Sequence, residues 1–370
     1  MKNCIKLGSL TKIQTGKLDA NAATQDGQYS FFTCSKDILR INTYSYECEC
    51  VLVAGNGDLN VKYFDGKFDA YQRTYIIESL DKEKLLVKYL YYFLNSYVEI
   101  LRLQSIGGVI KYIKLGNLTE AMIPLPSISE QKKIIDIIEK CDGVINSRVQ
   151  QLKILRELIE SRFIELFGDM FLNSKGWPES RLDSVADIVS GITKGRKVKS
   201  VNVTEVPYMA VSNVKDGYID WTTVKTIEAT SQEIEQYRLM PDDVLMTEGG
   251  DPDKVGRGAI IKKPLDNCIH QNHIFRVRLD ESVILPGFFA EYLQHQRSKR
   301  YFLGCAKQTT GIASINMKQL RALPVLVPPL SDQEQFVSFV TKVDKSKSVI
   351  QKSLDELEIL KKSLMQKYFG

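Results

Sequence analysis

The side chains in this chain with the clearest chemical potential are cations and amides gathered on short, glycine-bounded stretches. Between Gly191 and Lys199 lie Lys194, Arg196, Lys197 and Lys199, with no acid among them. Ammonium and guanidinium groups at that density suit phosphate oxygens; an ordinary solvated loop is the other reading. Lys254 and Arg257 follow in a second glycine-containing stretch, and Gln308 and Thr309 come just before Gly311. Amides and guanidinium groups can form paired hydrogen bonds to a planar partner. Earlier in the chain, Lys17, Asn56, Asn60, Lys62, Arg73 and Lys111 take the corresponding places.

Catalytic signatures are missing. There is no glycine-rich phosphate loop closed by Lys and Ser or Thr, and the pairs Gly107-Gly108 and Gly249-Gly250 are too short for a dinucleotide fingerprint. Pro328-Pro329 leads into Leu330 and belongs to the start of a helix, not to an amino-methylating motif. Cys48 with Cys50, and His270 with His273 near Cys268, have metal-like spacings. Only three histidines occur and no second ligand pair accompanies them, so no metal site is expected.

The elements that must position these side chains are written twice. Pro126, Ser129, Gln131, Asp142, Leu152, Leu155, Leu158, Ser161, Phe167 and Gly168 return 202 residues later. The second set is Pro328, Ser331, Gln333, Asp344, Leu354, Leu357, Leu360, Ser363, Phe369 and Gly370. That period is too long for a solenoid and implies two domain-sized halves, each ending in the same long helix. Ser129 and Ser331 are expected to cap the helices, Ser331 forming a capping box with Glu334.

Apolar residues then keep heptad spacing. In the first copy these are Ile138, Ile145, Leu152, Ile159 and Leu166, with Ile134, Cys141, Val149, Leu155 and Phe163 widening the seam. In the second they are Phe336, Val343, Ile350, Leu357 and Leu364, with Val340, Leu354 and Tyr368. This pattern predicts a coiled coil, each rod roughly 58 Å long at about 1.5 Å per residue. Arg148 and Arg162 interrupt the first seam, Lys347 and Lys361 the second. A structural hairpin of the kind found in many proteins is the other reading.

The intervening segments match more weakly. Leu7, Leu10, Ile13 and Gly16 correspond to Leu182, Val185, Ile188 and Gly191. Each is followed by a strand-like run into glycines (Val51–Asp58; Val244–Asp251), an extended run (Tyr71–Ile77; His270–Val277) and a helical stretch (Leu85–Leu103; Pro286–Leu303). Strands, glycine turns and two helices per segment predict mixed α+β domains. The expected boundaries are 1–126 and 170–328 for the globular segments, 127–169 and 329–370 for the helices.

Composition sets broad limits. A chain of 370 residues can hold two or three cores. The net charge of +5 divides evenly, with fifteen cations against thirteen acids in residues 1–125 and twenty-one against eighteen in 170–328. That permits nucleic-acid binding without demanding it. No apolar run is long enough to span a membrane. Seven cysteines without framework spacing point to a reducing cytoplasm.

Two variable segments, each followed by a Pro126–Gln131 or Pro328–Gln333 motif and a leucine-rich helix ending at Phe-Gly, resemble the DNA-specificity subunits of Type I restriction–modification enzymes. The resemblance covers the whole chain. It is strongest at the two helix starts and extends to the stretch Asp243–Gly256 with Gln271 and Asn272. The first segment departs from that frame at Tyr71, Gln72 and Arg73.

The resemblance implies two target recognition domains, each reading half of a bipartite double-stranded DNA site. They would be separated by two long antiparallel coiled-coil helices in a pseudo-twofold tandem repeat. The cationic and amide residues named above would be the DNA-binding set. Ile138, Ile145, Leu152, Leu155, Ile159, Leu166, Phe336, Val343, Ile350, Leu354, Leu357 and Leu364 would pair the helices and dock partners. Two methyltransferase subunits would bind, joined by endonuclease–translocase subunits. S-adenosylmethionine, ATP and Mg would be used by those partners, with no cofactor in this chain. A coiled-coil assembly protein without DNA preference, or an enzyme with an unfamiliar active site, are the competing readings.

Overall fold

The computed structural model describes residues 4–196, 202–251, 255–309 and 311–370. By its contacts the chain divides into two units, residues 1–151 with 350–370 and residues 152–349. The division differs from the four blocks expected, because each long helix is shared: its two ends pack on different globular segments.

In the first unit a six-stranded sheet runs in the order Thr11–Thr15, Thr74–Ser79, Tyr46–Ala54, Val61–Ala70, Tyr29–Phe32 and Leu39–Ile41. All pairings are antiparallel except Tyr29–Phe32 with Val61–Ala70. Strand alternation sends Val51 and Val53 to one face, against helix Val87–Gln104, and Cys50 and Leu52 to the other, with Phe32 and Phe68. The strand Tyr46–Ala54 is therefore apolar on both sides at its C-terminal end.

The second unit repeats the central part in shorter strands. Ala186–Ser190, Ile274–Leu279, Val244–Thr247 and Gly258–Ile260 form an antiparallel sheet. A second sheet joins Lys225–Ala229, Thr204–Met209 and Ile269–His270, and a third joins Gly249–Gly250, Ile312–Ser314 and Lys307–Thr309. The single helix expected over 286–303 is two, Pro286–Gln294 and Gln296–Cys305. Between them His295 is extended, and its ring accepts a hydrogen bond from the Arg297 amide.

The long helices cover Ile128–Phe167 and Leu330–Phe369. Both start earlier than caps at Ser129 and Ser331 would place them. The first is capped by Ser127, whose hydroxyl accepts from the Glu130 amide at 3.3 Å, so Ser129 lies inside the first turn. Pro329 occupies the equivalent place in the second copy, and its carbonyl accepts from the Asp332 and Gln333 amides, so Ser331 does not cap. The first copy ends as expected, with Gly168 at φ +73° and its amide on the Ile164 carbonyl.

The paired glutamines of the repeated motif staple each helix to its own globular segment. Gln131 is fully buried; its Oε1 accepts from the Leu86 amide, and its Nε2 donates to the Lys84 and Pro126 carbonyls. Gln333, equally buried, accepts from the Leu285 amide and donates to the Val283 and Pro328 carbonyls. All three hydrogen bonds recur, which explains why glutamine stands at both places.

Within the first unit, Ile134, Ile135 and Ile138 share a core cluster with Met365 and Phe369, and Asp142 pairs with Lys361 at 2.5 Å. Within the second, Phe163 and Phe167 pack on Phe336 at ring distances of 5.3 and 5.6 Å, and Arg162 lies over Phe339. In each unit the two helix segments run in opposite senses. The covered positions follow alternating steps of three and four, including Ile138, Cys141, Ile145, Arg148, Leu152, Leu155, Ile159, Arg162 and Leu166. Arg148 thus sits in the seam, whereas Val149, expected there, is 52% exposed.

Candidate nucleic-acid interface

Four stretches of chain meet in each unit, and the same backbone hydrogen bonds lace them. In the first unit the Leu18 amide donates to Ala70 O and the Gln72 amide to Leu18 O. The Gly55 amide donates to Arg73 O and the Ile113 amide to Gly55 O. In the second, Ile192 donates to His270 O, Asn272 to Ile192 O, Glu248 to His273 O and Ile315 to Glu248 O. The four bonds correspond one to one, so Gln72 and Arg73 occupy the places of Asn272 and His273. Glycine precedes the first crossing because the chains touch there. A Cβ on Gly16 would lie 2.1 Å from Ala70 O, and one on Gly191 2.0 Å from His270 O.

The lacing fixes the backbone and leaves the loop side chains free to vary. In the first unit Lys17, Gln72, Arg73 and Lys111 are exposed. A pocket of about 350 Å³ is lined by Thr15, Gly55, Gln72, Arg73, Tyr75 and Ile113. Asn56 bridges to Tyr112, and the Gly57 amide donates to Lys111 O. Of the six residues proposed for this segment, Lys17, Asn56, Arg73 and Lys111 come together on these loops.

The other two are held inward. Asn60 Nδ2 donates to the Cys34 and Asp58 carbonyls, and Lys62 Nζ donates to Ser35 O at 2.6 Å and to Asn60 Oδ1. Burial lowers the Lys62 ammonium pKa from its ordinary value. These two residues brace the loop that carries Cys34, which in turn contacts Arg73 O at 3.5 Å.

In the second unit Lys194 is exposed, but Arg196 is already engaged. Its guanidinium holds Glu233 through two bonds of 2.7 and 2.8 Å and donates to Glu228 O at 2.9 Å. This arginine brings Glu233 down to a pKa of about 2. Glu233 also accepts from the Thr230 amide, closing a capping box on helix Ser231–Tyr237. Arg196 therefore anchors its loop to a helix start instead of standing free for phosphate. Arg257 is partly buried, with its carbonyl accepting from the Thr247 amide. Lys197, Lys199 and Lys254 lie outside the described residues. Gln308 and Thr309 lie on the strand Lys307–Thr309, in the hairpin that continues from Cys305.

The two histidines with metal-like spacing point apart. His270 is buried, with its ring nitrogens facing the Tyr237 and Val189 carbonyls at 3.1 and 3.4 Å, and burial lowers its pKa to about 4. His273 is exposed and contacts Glu248 at 2.5 Å. Among the described residues no group of three His, Cys, Asp or Glu side chains is placed to hold a metal.

Sequence reading alone did not single out Gln72, Glu248 or His273 as interface residues. The signal was the extended run after each glycine stretch, but matching Gln72 to Asn272 requires the register of the loops.

Two mixed α/β segments with equivalent laced loops, each joined to a long helix through a buried glutamine, define a tandem recognition scaffold. The chain belongs to the Type I restriction modification DNA specificity family, whose model matches residues 2–155 and 174–359. It is 28% identical to the Escherichia coli Type I restriction enzyme EcoDI specificity subunit, over 99% of this chain and 87% of that protein. It is 19% identical to the EcoBI specificity subunit of the same species, over 90% and 78%. The fold resembles that of a Type I restriction–modification S subunit from M. genitalium, with a TM-score of 0.65, 19% identity, and coverage of 100% of this chain and 96% of that one.

Proposed function

We propose that this chain is the sequence-reading, non-catalytic subunit of a Type I restriction–modification complex. The observation that carries this reading is the loop set built twice on the same four backbone bonds with different side chains, in a chain the specificity family matches almost end to end. A constant frame with variable loops suits two readers of different half-sites. Amide and guanidinium groups at Gln72, Arg73 and Asn272 suit base edges, while Lys17, Lys111 and Lys194 suit phosphates.

The long helices act as an antiparallel coiled coil that keeps the readers apart, with half-sites on the order of one DNA turn, about 34–36 Å, from each other. Methyltransferase subunits dock on this chain and methylate adenine N6 with S-adenosylmethionine. Endonuclease–translocase subunits add ATP- and Mg-dependent cleavage.

Mapping methylated adenines in cells with and without the gene tests the proposal. Loss of methylation at one bipartite motif on deletion is the expected result. An unchanged methylome overturns the proposal, as does methyl transfer by the purified chain alone.

A further inference from the structure

The loop Ser105–Tyr112 in the first unit carries the most exposed apolar side chains beside the candidate interface. Val109 is fully exposed, Ile110 63% and Ile106 42%. A segment free to move would fold such side chains away from water, but this loop is tied at its base. The Ile106 and Tyr112 amides donate to each other's carbonyls at 3.0 and 2.9 Å, and the Lys111 carbonyl accepts from Gly57 at 2.9 Å. Gly107 turns the loop at φ +116°, where a Cβ would also lie 2.6 Å from Ile110 O. The backbone therefore holds an aliphatic tip outward.

The surroundings favour a polyanion over a protein. No Asp or Glu occurs between Glu99 and Glu120, while Lys111 and Lys114 do; Arg102 is already paired with Asp58 and Glu99. The loop base continues directly into the laced set: Ile113 donates to Gly55 O, Gly55 donates to Arg73 O, and Tyr75 Oη donates to Ile113 O at 3.2 Å. Rigid aliphatic side chains beside cations, on the surface proposed to meet DNA, match the wedges that part a base step and kink the duplex.

We infer that Val109 and Ile110 form an apolar wedge that unstacks a base step within the half-site read by the first segment. The inference rests on the DNA-reading function proposed above. Such a wedge makes recognition depend on how easily that step unstacks, including at base pairs no polar side chain touches.

The test uses the full chain assembled with its methyltransferase, on the duplex identified by methylome mapping. 2-Aminopurine is placed in turn at each position of both half-sites except the methylated adenines, where base flipping would also brighten it. Wild type is expected to brighten one step in one half-site severalfold. V109S/I110S should abolish that signal and weaken binding about tenfold, while leaving the salt dependence of binding unchanged. V109L/I110M should retain the signal. Both positions are exposed, so folding is not at stake. No brightening in wild type, or brightening that survives V109S/I110S, overturns the wedge while leaving the DNA-reading function intact. A wild-type complex that binds no mapped duplex overturns the function itself, and the wedge with it.

Discussion

Arg196 shows how a residue with the right chemistry can be committed elsewhere. Its partner, Glu233, is 37 positions away in sequence, and the bond becomes visible only when helix Ser231–Tyr237 is placed. R196A should cost stability, about 1.5–3 kcal/mol for a charge-assisted pair, with little change in the salt slope of DNA binding. K111A should do the reverse, lowering that slope by about 1. Thermal melts and binding titrations from low to high salt distinguish the two. Because the Glu233 pKa lies below its usual 4.5, at about 2, the pair's contribution is fully present above pH 4.5 and is lost as pH falls towards 2.

His270 has the opposite chemistry with the same pH sign. Its folded pKa of about 4 lies below the ordinary 6.5, so the unfolded chain binds the proton first as pH falls. Stability is full above pH 6.5 and declines towards pH 4, by up to about 3 kcal/mol. H270N should flatten that part of a stability–pH curve measured by chemical denaturation. A slope unchanged by the substitution would contradict the assignment.

Among the elements, the long helices were the most legible, because Ile138, Ile145, Leu152, Ile159 and Leu166 declare their period without help from the rest of the fold. Their first turns were not. Ser129 looks like a cap, but the proline-bounded turn puts Ser127 in that place in one copy and a bare Pro329 carbonyl in the other. Val149 fell outside the seam for a similar reason, while Arg148 interrupts it as expected. Hydropathy favours the valine, but strict three–four spacing puts the arginine in the seam, where its long stem can cover apolar surface.

The glutamine staple was legible as a repeated letter but not as a device, since its partners Leu86 and Leu285 lie more than 40 residues upstream. Q131E replaces an amide donor facing two carbonyls with an oxygen, and Q333E does the same in the second copy. Each should destabilise its own unit by about 2–3 kcal/mol, read as a lowered midpoint in thermal unfolding; an unchanged midpoint would show the staple to be dispensable.

For the whole molecule, the tandem repeat made the architecture readable, while the candidate surface was legible only in part: Lys17, Asn56, Arg73 and Lys111 were named from the sequence, but Gln72, whose place needs the register of the loops, was not. If the helices serve as a ruler, removing one heptad from each should shorten the preferred gap between half-sites by about 10 Å of helix rise, or about three base pairs. Selection from duplexes with randomised spacers would reveal that change, and an unaltered gap would remove the ruler.

The most direct measurement of the central claim is the methylome of cells carrying Q72A/R73A or, separately, N272A/H273A. These pairs occupy matching places in the two laced loop sets. The account predicts that each double substitution relaxes one half of the methylated bipartite motif and leaves the other half unchanged, with the halves exchanged between the two variants. Relaxation of the same half by both variants, or an intact motif in both, would contradict it.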